Sequence, residues 1–176
     1  TNIASGSAIV IDTTVPTITS FTSTTADGSY KSAGTVNITA TASEAVVATN
    51  TITATLDTSD NVTLTAADNG TTLVGTYTVS ASENSNDLTV SSFSIGTVTD
   101  IAGNVMASTA VPDTNIASGS AIVIDTTAPT ITSFTSTTSN GSYKSAGEVN
   151  ITATASEFVV ATNTITATLD TSDNVT

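Results

Sequence analysis

The chain has 176 residues with a formal net charge of -13, from 15 acidic residues against two lysines, and it contains no His, Cys or Trp. That inventory excludes His-based acid and base pairs, thiolate nucleophiles, zinc clusters and disulfide frames, and so acidic a chain has too few cations to neutralise a nucleic-acid backbone. Hydrophobic residues make up 38%, too many for a disordered acidic tail, yet no run reaches the ~20 apolar residues of a membrane span.

In chain order, the apolar pattern predicts strands near 17–23, 35–42, 50–57, 62–67, 71–80, 88–99 and 116–124. Val36, Ile38, Ala40 and Ala42 alternate with Asn37, Thr39 and Thr41, the period of two of a half-buried strand. Ile52, Ala54 and Leu56 alternate in the same way with threonines, as do Val62, Leu64 and Ala66, and then Leu73, Gly75, Tyr77 and Val79. Threonine occupies 42 positions and serine 24; a β-branched polar side chain suits the wet face of a pleated sheet. Turn signals separate the runs at Ala26–Ser29, Asp57–Asn61, Asp68–Gly70 and Glu83–Asn86, with Asn69-Gly70 the strongest hairpin signal. Gly96 is expected to mark a bulge in the strand over 88–99. Helical spacing of apolar residues is absent. Seven short strands with a turn every eight to twelve residues predict an all-β fold, an antiparallel Greek-key β-sandwich.

A repeat organises these elements. Thr1–Thr63 recurs as Thr114–Thr176 at an offset of 113 residues, with five changes: Val15/Ala128, Ala26/Ser139, Asp27/Asn140, Thr35/Glu148 and Ala45/Phe158. A unit of this length can bury its own core. Residues 1–12 then read as the last strand of a preceding module, 13–125 as a complete module, and 126–176 as the first half of the next one. The sequence is expected to be a stretch of a longer head-to-tail array. Near-identity between copies suits a unit repeated for length.

The acids fall in turns and at strand ends. Asp12 precedes the linker, Glu44 ends the strand over 35–42, and Asp100 lies with Asn104 in the loop after 88–99. In a Greek-key sandwich these positions share one pole. Three carboxylates and an amide oxygen converging there would suit calcium, which takes six to eight hard oxygen ligands. The competing reading is that these aspartates are turn formers and solvated charges; no D-x-[DN]-x-[DN]-G loop is present to separate the two.

Three elements carry a resemblance: Ile124-Asp125-Thr126-Thr127-Ala128-Pro129-Thr130, with Val15 for Ala in the first copy; Ser43-Glu44; and Thr99-Asp100-Ile101-Ala102-Gly103-Asn104. They resemble the DTTAPT, SE and D-x-AGN elements of bacterial immunoglobulin-like repeats, which build the stalks of giant secreted surface adhesins. The resemblance implies an extracellular, non-enzymatic tandem array on a bacterial cell surface or secreted fibre, stiffened by calcium at the linkers. Its partners are then neighbouring modules or chains of the same protein, and a cell-surface or glycan target stays open. By motif position it implies Asp12, Glu44, Asp100 and Asn104 as ligands, with Asp125 and Glu157 beginning the next site.

Other signals point less far. Lys31 and Lys144 hold the same place in each copy, which fits a solvated lysine better than an isopeptide cross-link. Thr-x-Thr pairs such as Thr39/Thr41 are a feature of flat ice-binding surfaces, but twisted strands with one wet face give the same spacing. The sequons at Asn37, Asn61 and Asn69 are expected by chance in so threonine-rich a chain. Asp57 and Asp60 flank a tight turn and lack the aromatic platform of a glycosidase. Two rival functions remain: a filament subunit whose chains complement one another by strand donation, and a carbohydrate-binding module, which 4% aromatic residues support poorly.

Overall fold

The computed structural model describes residues 9–175 and is built almost entirely from strands and their connections. The chain divides after Thr126 into two compact units.

In the first unit β1 (Ile18–Thr22), β3 (Thr35–Val46), β4 (Thr51–Leu56), β5 (Asn61–Ala66), β6 (Gly70–Thr78) and β8 (Val90–Ile95) form one antiparallel sheet in the order β1-β3-β6-β5-β4-β8. Here the alternation in the sequence is the alternation in space. Val36, Ile38, Ala40 and Ala42 are buried along β3, Ile52, Ala54 and Leu56 along β4, and Val62, Leu64 and Ala66 along β5. Their threonine neighbours stand on the wetter face, as a pleat of period two requires. The sheet is joined unevenly. β3 and β6 pair from Thr35↔Thr78 to Thr41↔Thr72, whereas β5 meets β6 only at Thr65↔Val74 and Ala66↔Leu73, beside the hairpin that Asn69-Gly70 announces.

A second sheet holds β2 (Gly28–Tyr30), β9 (Ile122–Asp125) and β7 (Asn84–Ser85) in the order β2-β9-β7. Its middle strand drives Ile122 and Ile124 into the same apolar cluster that the six-stranded sheet fills. β2 and β7 lie where the sequence reads as turns, and β2 runs parallel to β9, so the fold is not antiparallel throughout. The last expected strand is also shorter. Ile116–Ser118 form a 3-10 turn capped by Asn115, and the strand proper starts at Ile122. Asn115 reaches across to β8, accepting from Val90 N at 3.0 Å and donating to Val90 O at 2.8 Å, as a neighbouring strand would.

Two glycines answer to close approach. The slip in the β4–β8 register falls between Thr55↔Ser92 and Leu56↔Val90, so the extra residue is Ser91 and not Gly96. Gly96 lies just past β8, where a Cβ would come within 2.9 Å of the Thr51 carbonyl oxygen. At Gly75, in the middle of β6, a Cβ would collide with the Thr63 carbonyl and sit 2.7 Å from Leu64 Cδ2. The Gly75→Ala variant is therefore expected to lose about 1–3 kcal/mol of stability, read from denaturant unfolding, because the obstacle is backbone and cannot rotate away.

The second unit contains β10 (Ile131–Thr135), β11 (Thr152–Ala155), β12 (Ala167–Thr168) and β13 (Asn174–Val175). β10 and β11 repeat the β1–β3 register residue for residue, including its slip: Ile131↔Ala155, then Ser133↔Thr154. Burial is not repeated. Phe21 is fully buried, while its copy Phe134 is 55% exposed. Ile131 and Val149 are also exposed where Ile18 and Val36 are buried, and Phe158 is wholly exposed.

Candidate functional site

The site gathers at one end of the first unit from three segments distant in sequence. The first is the linker before β1. Asp12 accepts from Thr14 N at 3.0 Å, an Asx turn that aims the chain at Pro16, which is buried. Thr17 then locks onto the end of β3 by donating to Ser43 Oγ at 3.0 Å and accepting from Ser43 N at 2.8 Å.

The second segment is the end of β3. Its register with β6 breaks between Thr41 and Val46, and Glu44 lies in the break. Its Oε1 atom is buried without a hydrogen-bond partner. Burial pushes the Glu44 carboxyl above its ordinary range, and the charges of Asp12 and Asp100 add to the shift.

The third segment follows β8. Thr99 O accepts from Val47 N at 3.0 Å and from Asn50 Nδ2 at 2.9 Å, fixing the loop against β3, and Val46 bridges to Asp100. Asp100 is 2% exposed. Its Oδ1 accepts from the N–H groups of Gly103 and Asn104, both at 2.7 Å, and its Oδ2 accepts from Asn104 Nδ2 at 2.8 Å. Gly103 makes this turn at φ +97, a conformation that favours glycine. Burial alone would raise the Asp100 carboxyl, but these bonds, with one from Ala102 N, outweigh it and hold it below its ordinary range.

One carboxylate oxygen from each of Asp12, Glu44 and Asp100 lies within 4.8 Å of the other two. The chain has only two cationic side chains, and the charges acting on Glu44 are those of its two acidic neighbours. Like charges so close repel one another unless a cation joins them. All donors are hard oxygens, and one of them is buried with no partner, so the residues present fit calcium better than a soft-ligand metal.

Asn104 enters differently from the sequence expectation of an amide oxygen. Its Nδ2 donates to Asp100 Oδ2 and, at 3.1 Å, to the Asp12 main-chain carbonyl, so it positions the Asp100 carboxylate and ties the linker main chain to it. Asp125 closes β9 in the first unit, and Glu157 follows β11 in the second with its Oε1 buried and unpartnered, as in Glu44. Thr130 and Ser156 repeat the latch of Thr17 and Ser43. Sequence reasoning did not single out Ser43 as a latch or Asn50 as a brace, although Ser43 lies in the Ser-Glu pair it flagged.

Three other acids of the first unit, Asp57, Asp60 and Glu83, are held by hydrogen bonds within the fold. Asp57 accepts from Ser85 Oγ at 2.6 Å and from Thr89 N at 3.2 Å, and Asp60 accepts from Ser80 Oγ at 3.2 Å. Glu83 accepts from Ser80 N and the Tyr77 hydroxyl, both at 2.6 Å; burial and this carboxylate together push the Tyr77 phenol above its ordinary range. Compared with known proteins, the chain matches no family model, no curated protein and no solved structure.

Proposed function

We propose that the chain is a non-enzymatic structural segment of an extracellular fibre or adhesin stalk. Immunoglobulin-like Greek-key sandwich modules run head to tail in it, with residues 13–125 as one complete module, and calcium stiffens each linker. The sandwich reading is supported by the single apolar cluster that both sheets share. The observation that carries the functional reading is that Asp12, a linker residue, meets Glu44 and Asp100 of the folded body. A cation held by all three ties the entry of a module to its body.

Small-angle scattering of the full chain with calcium and then with chelator tests this. The expected result is a narrower distribution of maximum dimensions with calcium. Superimposable curves would remove the stiffening role.

A second reading, a filament joined by strand complementation between chains, is favoured by the open apolar residues of the second unit. Ile131, Phe134 and Val149 are exposed there although their copies in the first unit are covered. Cross-linked or concentration-dependent oligomers that disappear when residues 127–176 are removed would favour it over the tandem reading.

A further inference from the structure

We propose that Asn140 is a site of spontaneous deamidation, selected by the fold over the chemically equivalent Asn69. Both residues precede glycine, in Asn69-Gly70 and Asn140-Gly141. The reaction needs the main-chain nitrogen of that glycine to reach the side-chain carbonyl carbon of the asparagine. A following residue without Cβ leaves that approach open, and the chain must be free to rotate into it.

At Asn69 the fold opposes the approach. Oδ1 accepts from Ala48 N at 2.8 Å, and Gly70 is already in β6, paired with Val46. Turning the side chain toward Gly70 N would break the first contact and distort the second. The first-copy counterpart of Asn140 is held as firmly. Asp27 Oδ1 accepts from Ala121 N at 2.9 Å, and Gly28 N donates to Ala121 O at 3.0 Å, so the residue just before β9 holds both the side-chain carboxyl group and the glycine nitrogen. Asn140 and Gly141 have neither restraint. Both are exposed and outside any strand, and among the described residues no hydrogen bond holds the Asn140 side chain or the Gly141 N–H. The Tyr143 hydroxyl donates to Ser139 O at 2.6 Å, as Tyr30 does to Ala26 O in the first copy, and this bond spans the pair without engaging either member. A Cβ at Gly141 would find its nearest neighbour, Tyr143 Cε2, only at 3.9 Å.

In the step itself Gly141 N, having lost its proton to base, forms a bond to Asn140 Cγ. The conjugate acid of that base returns the proton to Nδ2, the Cγ–Nδ2 bond breaks and ammonia leaves, closing a five-membered succinimide. Water then opens the ring. Attack at Cγ gives aspartate, and attack at the main-chain carbonyl gives isoaspartate, with no change of oxidation state in either. The aspartate product restores the residue of the first copy, Asp27. The isoaspartate product inserts a methylene into the main chain just before 141–143, the counterpart of β2, so the register that Gly28 makes with Ile122 could not be reproduced there.

Incubation of the full chain in mildly alkaline buffer, followed by peptide mapping in a mass spectrometer, tests the proposal. The peptide containing Asn140 is expected to gain one mass unit and split into aspartyl and isoaspartyl forms, at a rate roughly tenfold or more above that of Asn69. The Gly141→Ala variant should slow the reaction by about tenfold, since a Cβ crowds the attacking nitrogen. In strong denaturant the two asparagines should react at similar rates. Equal rates in the folded chain, an unchanged rate in Gly141→Ala, or a difference that persists in denaturant would each overturn the proposal.

Discussion

Calcium at a hundredfold excess over its dissociation constant is expected to raise the melting temperature of the first unit by on the order of 10 °C. Linkage gives about 2.7 kcal/mol for a ligand that binds only the folded state at that excess, and a domain of this size gains about 4 °C per kcal/mol. Chelator should reverse the shift. The Glu44→Gln variant separates the metal from a merely structural role for the cluster. It removes a carboxylate that burial and two like charges disfavour, so the chelated protein should melt no lower than the parent, while most of the calcium response disappears. Asp100→Asn should behave otherwise. It weakens the bonds that Gly103 and Asn104 donate, and the chelated protein should melt lower.

The pH dependence has a definite sign at each residue. Glu44 has a folded-state value above its ordinary 4.5; without metal, stability from this group is greatest below 4.5 and is lost as pH rises through the folded value. Asp100 has a folded-state value below its ordinary 3.8, so its contribution is present above 3.8 and is lost as pH falls through the lower value. Calcium must displace the proton from Glu44 in the acid range, so the calcium-dependent gain should shrink as pH falls toward 4.5. A melting temperature indifferent to calcium near neutral pH, or a Glu44→Gln variant with the full response, would end the metal reading.

The sequence discloses these elements to the extent that burial alternates along them. β3, β4 and β5 are legible because each buries every second residue over most of its length, and β6 because Leu73 and Tyr77 are buried on one face with the small Gly75 between them. β2 and β7 are not. Gly28-Ser29-Tyr30 and Asn84-Ser85 have turn composition and no alternation, and they become strands because β9 arrives from far along the chain with free main-chain groups on both edges. No local pattern encodes that encounter, nor the parallel direction of β2 and β9. The same distinction applies at the candidate site. Asp12, Glu44 and Asp100 could be placed at one pole from their positions at strand ends. The direction in which Asn104 turns its amide depends on Asp100 Oδ2 and the Asp12 carbonyl, and side-chain orientation of that kind is set by the assembled loop.

The two copies offer a comparison in which sequence is held nearly constant while coverage changes. Phe21→Ala is expected to cost about 3–5 kcal/mol, the usual loss for a fully enclosed phenylalanine. Phe21 also meets Phe93 edge to face, with centroids 5.6 Å apart and planes at 66°, an arrangement worth about 0.5–1.5 kcal/mol beyond its buried area. Phe134 has the same neighbours in sequence and the same register with β11, yet it is 55% exposed. Phe134→Ala should therefore cost under about 1 kcal/mol, since much of its ring is already in water. Hydrogen exchange of peptides from β3 and β11, in the parent and each variant, reads the two losses separately. Repeating the sequence of residues 64–125 after Thr176 supplies the second copy with counterparts of β6, β8 and β9. In that longer chain Phe134→Ala should become as costly as Phe21→Ala, because the counterpart of Phe93 and the strands around it then close over the ring. If Phe134→Ala is already as damaging in the present chain, or stays mild in the longer one, the two copies do not share a fold, and the reading of the 113-residue offset as a structural module fails with it.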